Sequence, residues 1–396
     1  MRRTFTESWF GPDAKSAHIG WLCVAAALGL SLLGVYAIDV ATYPQSGALS
    51  THGRTLQQLM FLGAGLIAAV AISKPNPHFI RILAWPSLVI VIGLLIFLLI
   101  PMVPASIVRP RNGCRGWIDL GAFDLQPSEL AKIAFVLAAA EYLRYRDNHR
   151  TALGLIPPAL ITMIPVGLIM LQPDLGVAML FLPAIFAIVL AAGSKMRHLT
   201  AVVLAGALAM PIAYQMLRPY QKDRIVGLWH QIKGDATAAS TAEMFQATTA
   251  ISVSGAGQTE GYSDGKARAI LRYTQLPERH NDMVFSVIMT RFGLFGGVFV
   301  LALYGLWCLG ALIAAARCKD PFGRLVIVGF VAIVAAQVFI NVGMNVGLVP
   351  IIGVTLPFVS YGGSSMVTVW IMTGLIFSFA VRKPARMARP TFEYGN

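Results

Sequence analysis

The sequence predicts an all-α polytopic membrane protein of about ten transmembrane helices. Of its 396 residues, 57% are hydrophobic and only 12% are charged, against about 25% charged in soluble globular proteins. The apolar residues also arrive in blocks of roughly 17 to 25, the length that crosses a hydrocarbon core as a helix. Because backbone groups in lipid need partners within their own segment, these blocks are expected to be helical.

The apolar blocks define ten predicted helices in a single transmembrane domain, residues 1–396. They cover residues 19–38, 57–73, 80–100, 127–143, 153–171, 175–193, 199–216, 283–315, 325–348 and 364–381. The block 283–315 exceeds the length of one crossing, so part of it should project from the bilayer.

Basic residues in the connections predict the orientation. Most of them fall in short connections that lie inside if the N-terminus is inside, which is the bias of cytoplasmic loops. Both termini are therefore predicted to be cytoplasmic, in a multi-pass protein of the cytoplasmic (inner) membrane. The formal net charge of +13 reflects mainly this bias, and no nucleic-acid partner is expected.

Four predicted outer loops, 39–56, 101–125, 217–280 and 349–363, should converge on one surface. The loop 217–280, between helices seven and eight, is much longer than ordinary connections, and such loops are usually functional or disordered. The inner loops are short and basic and leave little room for chemistry. The active side is therefore predicted to face outward.

Polar motifs lie at several of these helix ends, where ionisable groups are costly and usually functional. Glu129 and Lys132 open the fourth helix three residues apart, on one face. They form either a local ion pair or a site in which Lys132 is held for an anionic ligand. Asp174 either caps helix six or contributes to a polar cavity or a metal site.

Two further motifs contain several polar or ionisable residues close together. Glu278, Arg279, His280 and Asp282 lead into helix eight. Asp282 could cap that helix, but a cap alone does not require two basic neighbours and a second carboxylate. In residues 356–365, glycines allow close backbone approach, and serines including Ser360 could cap helix ten or donate to a phosphate.

Together these segments resemble the SEDS family (shape, elongation, division and sporulation) along nearly the whole chain. The resemblance is carried by residues 112–118, 126–132, 172–176, 276–282 and 353–365. Asn341-Val342-Gly343-Met344 is more similar to the rod-shape elongation member than to the division member.

The resemblance implies a ten-helix peptidoglycan glycosyltransferase that polymerises lipid II on the outer leaflet with a class B penicillin-binding protein as partner. The family's essential aspartate maps onto Asp282, and its important basic residues map onto Arg54, Lys132 and Arg115. Asp174 and Ser360 fall on other positions of the family pattern. This chain has Thr290-Arg291 where the family usually has Glu-Glu, which bears on partner contacts and on the degree of activity.

The mechanism that fits these residues is attack by an acceptor sugar hydroxyl on a sugar whose leaving group is a polyprenyl pyrophosphate. Asp282 is the candidate base. The predicted pyrophosphate-binding residues are cationic, Arg54, Arg115, Lys132 and Arg279, and the predicted supporting residues are Glu129, Asp174, Glu278 and His280. A divalent cation, Mg²⁺ or Mn²⁺, could join the pyrophosphate, although no dense ligand cluster demands one. His280 is expected to be a hydrogen-bonding neighbour rather than a metal ligand.

Two other functions fit the same pattern. A transporter that flips lipid-linked precursors would also need many spans and intramembrane charge, but its charges should lie near the bilayer midplane, often with repeats. A non-catalytic scaffold that activates a transpeptidase is the third interpretation, and Thr290-Arg291 keeps it open. Formation of polymer by the purified protein separates the three.

Overall fold

The protein is described by a computed structural model that covers residues 14–42, 52–104, 106–108, 110, 114–121, 123–145, 151, 153–216, 222, 226, 242–274 and 276–381. Helices dominate these residues. They are α1 (Ala14–Ala41), α2 (His52–Ser73), α3 (Pro77–Leu99), α4 (Pro127–Leu143), α5 (Ile156–Leu171), α6 (Leu175–Ala191), α7 (Met196–Met216), α8 (Ala242–Ala256), α9 (Asp264–Tyr273), α10 (Val284–Arg317), α11 (Pro321–Asn345) and α12 (Gly363–Val381).

Each of the ten predicted helices is present. By length and composition, seven described helices could cross a membrane, namely α1, α2, α3, α5, α10, α11 and α12, and α6 and α7 contain shorter apolar stretches. The orientation of the chain in the membrane stays a prediction, and the two termini, residues 1–13 and 382–396, lie outside the described residues. Within the predicted loop 217–280, most of 217–241 also lies outside them, and the remainder contains α8 and α9.

Side-chain caps explain where several helices begin. Asn76 Oδ1 accepts from the backbone N–H of His78 at 3.0 Å, and Asp320 Oδ1 accepts from that of Phe322 at 3.3 Å. Each cap is followed by a proline in the first turn, where the missing N–H costs nothing. The local sequence therefore specifies these helix starts.

Helix α4 lies at the centre of the bundle. It packs against α3, α5, α6, α11 and α12, and most of its side chains are buried, including Glu129 and Lys132. Around it, α1 packs along α10 and α2 along α12. Gly374 permits the second contact, because a Cβ there would lie 2.5 Å from the carbonyl oxygen of Ala69.

Helix α10 is interrupted at Gly293, whose φ of 61° and ψ of −160° are not helical. Residues 257–261 lie against the break: Leu294 N–H donates to the Gln258 carbonyl at 2.8 Å, and Phe295 N–H donates to that of Thr259 at 3.3 Å. The segment Val284–Arg317 spans 34 residues across this break, and that it exceeds one membrane crossing stays a prediction. The part that projects from the membrane stays a prediction.

A small antiparallel hairpin precedes α4 and was not predicted. Strands β1 (Ile118–Asp119) and β2 (Asp124–Leu125) pair with Ile118 opposite Leu125. Ser364, in the first turn of α12, donates to the carbonyl of Asp124 at 2.7 Å and accepts from Gln126 N–H at 3.0 Å. The hairpin therefore ties the entrance of α4 to that of α12.

Candidate functional site

Asp282 lies in a turn directly before α10 and is half-buried. Its carboxylate faces the backbone of Gly353: a Cβ built on that glycine would lie 3.4 Å from Asp282 Oδ2. Gly353 also has a φ of +82°, which disfavours any residue with a side chain. The backbone conformation, more than the space beside the carboxylate, therefore favours glycine at this position.

Glu278 braces the turn that carries Asp282. Its side chain accepts from Asn281 Nδ2 at 2.6 Å, and its carbonyl accepts from the N–H groups of Asn281 and Met283 at 2.9 and 3.2 Å. Glu278 itself has a φ of +47°, an uncommon conformation for a residue with a side chain. These contacts fix the shape of the turn, and the supporting role predicted for Glu278 stays a prediction.

Two arginines lie beside this turn and are held by uncharged acceptors. Arg54, at the start of α2, approaches His280 Nδ1 with its Nη1 at 3.4 Å. Arg279 Nη1 donates to the carbonyl of Leu271 at 2.7 Å. Burial lowers the pKa of Arg279, and the nearby charge of Arg54 lowers it further. The two arginines are therefore close enough to repel each other.

His280 is uncharged at neutral pH. Burial lowers its pKa to about 4, and the positive charge of Arg54 acts in the same direction. Arginine has no acceptor, so the contact with Arg54 requires the lone pair on His280 Nδ1 and assigns the ring proton to Nε2. In this structure His280 therefore accepts a hydrogen bond from Arg54, and its supporting role at the site stays a prediction.

Residues 352–365, termed the strap below, are fastened to the Asp282 turn through Ser360. Its hydroxyl donates to the carbonyl of Asn281 at 2.6 Å and accepts from Leu356 N–H at 2.7 Å. Tyr361 N–H donates to the carbonyl of His280 at 2.9 Å. In this structure the Ser360 proton is engaged within the protein.

A second group of predicted residues surrounds the start of α4. Lys132 Nζ lies 2.7 Å from Glu129 Oε1, and both side chains are buried. Asp174 caps α6 by accepting from Val177 N–H at 3.1 Å, and Gln126 Nε2 lies 3.4 Å from its other oxygen. Burial raises the pKa of Asp174; the charge of Glu129 adds to this, and that of Lys132 opposes it. These charges are therefore neighbours.

The strap joins the two groups. A Cβ on Gly176, at the start of α6, would lie 3.1 Å from the carbonyl oxygen of Ile352 and 3.4 Å from that of Gly353. The strap therefore lies against the capped end of α6 near Asp174 and also against the Asp282 carboxylate.

Arg115 lies on a separate segment. Its Nη2 donates to the carbonyl of Val103 at 3.1 Å, and its buried Nε has no hydrogen-bond partner among the described residues. Burial, followed by the charge of Asp174, raises the pKa of the adjacent Cys114 thiol to about 12. The segment therefore passes near Asp174. Residues 112 and 113 of this motif lie outside the described residues.

The three arginines Arg54, Arg115 and Arg279 have uncharged partners among the described residues. Within the described part of the chain, neither Arg54, Arg115 nor Arg279 forms a salt bridge with Asp or Glu. Among the same residues, no group of three or more His, Cys, Asp and Glu side chains is placed to hold a metal ion. The arginines are thus available as cations for an anionic ligand.

A set of arginines with carboxylate partners, termed the arginine clamp, ties α9 to α1 and α10. Arg268 lies 2.7 Å from both Asp39 Oδ2 and Asp264 Oδ2. Tyr36 donates to Asp264 Oδ1 at 3.0 Å and accepts from Arg291 Nε at 3.0 Å. Arg291, one of the two departures from the family pattern, therefore belongs to this clamp.

Sequence reasoning missed several residues that hold the site. Gln58 is fully buried in α2; it donates to the carbonyl of Ser360 at 3.1 Å and accepts from Gly362 N–H at 3.3 Å. Asn341 and Asn345 are buried in α11, and both donate to the carbonyl of Asp282. The available signal was an uncharged polar side chain within an apolar helix, which needs an internal partner.

Comparisons with known proteins agree with this architecture. The family model described as cell cycle protein, FtsW/RodA/SpoVE, matches residues 18–384. The chain is 31% identical to stage V sporulation protein E of Bacillus subtilis, over 81% of this chain and 85% of that protein. It is 30% identical to the probable peptidoglycan glycosyltransferase FtsW of Pseudomonas fluorescens, over 92% of this chain and 89% of the relative.

Solved structures show the same fold. A chain from a peptidoglycan synthase complex, studied for its coordination of polymerization and crosslinking, superposes with a TM-score of 0.76 at 30% identity, covering 91% of this chain and 97% of its own. The rod shape determining protein RodA of Thermus thermophilus superposes with a TM-score of 0.65 at 27% identity, covering 91% and 96%.

These matches confirm the predicted polytopic membrane fold and the predicted family. They do not separate the elongation member from the division and sporulation members, since relatives of all three kinds match. The chain is an integral membrane protein and belongs to the FtsW/RodA/SpoVE family, the SEDS proteins.

Proposed function

We propose that this protein is a peptidoglycan glycosyltransferase that polymerises lipid II on the outer face of the cytoplasmic membrane. The observation that carries the proposal is Asp282 in a turn beside Arg54 and Arg279, two arginines whose hydrogen-bond acceptors are uncharged. The names of relatives such as the Pseudomonas fluorescens protein support the reaction class.

The proposed reaction needs one base and a stabilised leaving group. The Asp282 carboxylate takes the proton of an acceptor sugar hydroxyl while the hydroxyl oxygen forms a bond to the anomeric carbon of the donor. The bond from that carbon to the pyrophosphate oxygen breaks, and the pyrophosphate leaves with the electron pair. Guanidinium groups bind such oxygens with two parallel hydrogen bonds, so Arg54 and Arg279 would neutralise the charge that develops.

The other predicted residues receive roles that match their contacts. Lys132 and Arg115 remain proposed binding residues, although Lys132 shares its charge with Glu129. Ser360 would act through the turn, because its proton is donated to Asn281. His280, neutral and protonated on Nε2, would offer a donor without competing with Asp282 for the acceptor proton.

We further propose that both termini are cytoplasmic, that residues 1–396 form one domain, and that a class B penicillin-binding protein is the partner. The partner proposal is supported by the similarity to a chain from a synthase complex in which polymerization and crosslinking are coordinated. The orientation is supported by the distribution of basic residues.

The direct test is reconstitution of purified protein with lipid-linked disaccharide-peptide, with and without a co-purified class B penicillin-binding protein. Asp282→Asn should reduce polymer formation by about 10²–10⁴-fold, the range of a positioned general base. Asp264→Asn removes an equivalent charge from the arginine clamp and is the matched control, which should retain activity within a few-fold.

Two outcomes would contradict the proposal. Movement of the donor across vesicles without polymer, in the presence of the partner, would indicate a transporter. Polymer that forms only with the partner and at the same rate in the Asp282→Asn variant would indicate a scaffold.

A further inference from the structure

Asn341 and Asn345 lie four residues apart near the end of α11, and nothing in the proposed reaction yet assigns them a role. We propose that these two asparagines are positioning residues that hold Asp282 outside the hydrogen-bond ladder of α10. The proposal rests on the proposed function, in which Asp282 is the base.

The carbonyl of Asp282 is held by both side chains. Asn341 Nδ2 donates to it at 2.9 Å and to the carbonyl of Val354 at 2.7 Å. Asn345 Nδ2 donates to it at 3.0 Å and to the carbonyl of Asn341 at 2.9 Å. A side-chain amide has two N–H donors and a carbonyl has two lone pairs, so these contacts use both amides and saturate the Asp282 carbonyl.

Asn345 also occupies the place of a helical hydrogen bond. In a continuous α-helix the N–H of Ser286 would donate to the carbonyl four residues earlier, which is that of Asp282. Here Ser286 N–H donates to Asn345 Oδ1 at 3.1 Å, and the Ser286 hydroxyl donates to the same oxygen at 2.6 Å. The amide of Asn345 is thus inserted between the two backbone groups that would otherwise pair.

This insertion keeps Asp282 out of the first turn of α10. Met283, between Asp282 and the helix, has a φ of −103° and a ψ of 19°, so the chain leaves helical geometry there. Asn341 adds the second constraint, because it joins the carbonyl of Asp282 to that of Val354, next to the Gly353 backbone that the carboxylate faces. Together the amides fix both the turn and its distance from the strap.

Both asparagines are fully buried, where a hydrogen bond competes with little water and a lost partner is costly. Without the Asn345 amide, Ser286 N–H can return to the Asp282 carbonyl, and α10 would extend backward. That extension would rotate the carboxylate away from the acceptor hydroxyl. A displacement of about 1 Å at a reacting group can cost roughly 10²-fold in rate.

The experiment compares Asn341→Leu and Asn345→Leu with Gln337→Leu in the polymerisation assay. Gln337 is a matched control: it lies one turn before Asn341 in α11, is buried, and has an Oε1 that meets no hydrogen-bond partner among the described residues. We expect kcat to fall about 10- to 100-fold in both asparagine variants, with KM for the lipid-linked donor within about twofold. The control should keep both constants within about twofold.

The outcomes separate this inference from the proposed function. Absence of polymer from the wild-type protein with its partner would refute the function itself. A wild-type protein that polymerises, with asparagine variants of unchanged kcat or with a change in KM alone, would refute the positioning role. If the leucine variants unfold in detergent below the assay temperature, Asn341→Ser and Asn345→Ser replace them, because serine removes the amide without adding apolar bulk. The same criterion applies to them: a fall in kcat with an unchanged KM supports the positioning role.

Discussion

The arginines of the candidate site and those of the arginine clamp have different partners. In the clamp, Arg268 meets two carboxylates at 2.7 Å, those of Asp39 and Asp264. In the site, Arg54 meets a neutral imidazole nitrogen and Arg279 meets a backbone carbonyl. The residue type is the same in both places, and the partner is what differs.

This difference separates charges that hold structure from charges available to a ligand. The hydrogen bond from Arg268 lowers the pKa of Asp264, and the contact of Arg268 with Asp39 fastens α9 to the end of α1. An arginine with a neutral acceptor keeps its full charge for an anion, and such charge-assisted contacts are about twice as strong as neutral ones. The clamp also supports the site, because the Leu271 carbonyl that holds Arg279 belongs to α9.

The largest effect expected from this comparison follows from removing the charge of Arg54 in the candidate site. Arg54→Gln removes the charge but keeps a donor for His280, and Arg54 is exposed, so its folding should be unaffected. We expect kcat/KM for the lipid-linked donor to fall about 10- to 150-fold, equivalent to losing one charged hydrogen bond of about 1.5–3 kcal/mol.

Arg268→Gln, in the arginine clamp, should instead affect the stability of the protein and leave donor binding unchanged. It should lower the free energy of unfolding by about 1–3 kcal/mol through its two half-buried carboxylate contacts, while donor KM at a permissive temperature stays within about twofold. Thermal unfolding in detergent and steady-state kinetics measure the two effects. A stable Arg268→Gln protein with a raised donor KM would show that the clamp arginine contacts substrate and would end the distinction.

A smaller effect is expected from the space beside Asp282. Gly353→Ala and Gly121→Ala both place a Cβ at a φ of +82°, so each should lose about 1–2 kcal/mol of stability. Only the first adds a contact with the Asp282 carboxylate, since a Cβ at Gly121 would have no described atom within 4 Å. We expect kcat to fall about tenfold in Gly353→Ala alone.

Equal kcat in the two glycine variants would mean that the Gly353 position matters only for backbone conformation. The two glycines have the same φ, so the energetic cost of placing alanine in that backbone conformation is the same in both variants and does not affect the comparison of their kcat values. The measurement is kcat at saturating donor, after thermal unfolding has confirmed that both proteins are folded.

The features that could be predicted from the sequence are those that depend on local sequence patterns. Apolar block length gave all ten long helices, and a spacing of three residues on one helix gave the Glu129–Lys132 contact. The helix caps at Asp174 and Asp320 are likewise local. Two-residue strands and the break at Gly293 lie below the resolution of such patterns, since both depend on distant backbone partners.

The partners within the site could not be predicted from one sequence. Arg54 and His280 are 226 residues apart, and Ser360 and Asn281 are 79 apart, so only the packing of helices brings them together. The family resemblance selected Asp282 and Arg54 without saying which acceptors hold them. The asparagines of α11 were visible as polar residues in an apolar helix, but their target, the carbonyl of Asp282, was not.

The smallest expected effect concerns the neutral acceptor of Arg54. The pKa of His280 is about 4 in the folded protein and about 6.5 in an unfolded chain. As pH falls below 6.5 the unfolded state binds a proton that the folded state does not, so this part of the stability, complete above pH 6.5, is lost progressively down to about pH 4. His280→Gln cannot titrate and should lack this loss.

Thermal unfolding of both proteins in detergent between pH 4 and 7.5 measures the difference. Because all other titratable groups are shared, the variant should gain stability relative to the wild type as pH falls from 6.5 to 4, and the difference should be constant above 6.5. Parallel curves over the whole range would mean that the pKa of His280 is the same in the folded and the unfolded protein, so that the imidazole becomes charged in the folded protein as the pH falls through 6.5. In that case Arg54 would face a second cation instead of a lone pair, and the contrast between the site and the clamp would rest on Arg279 alone.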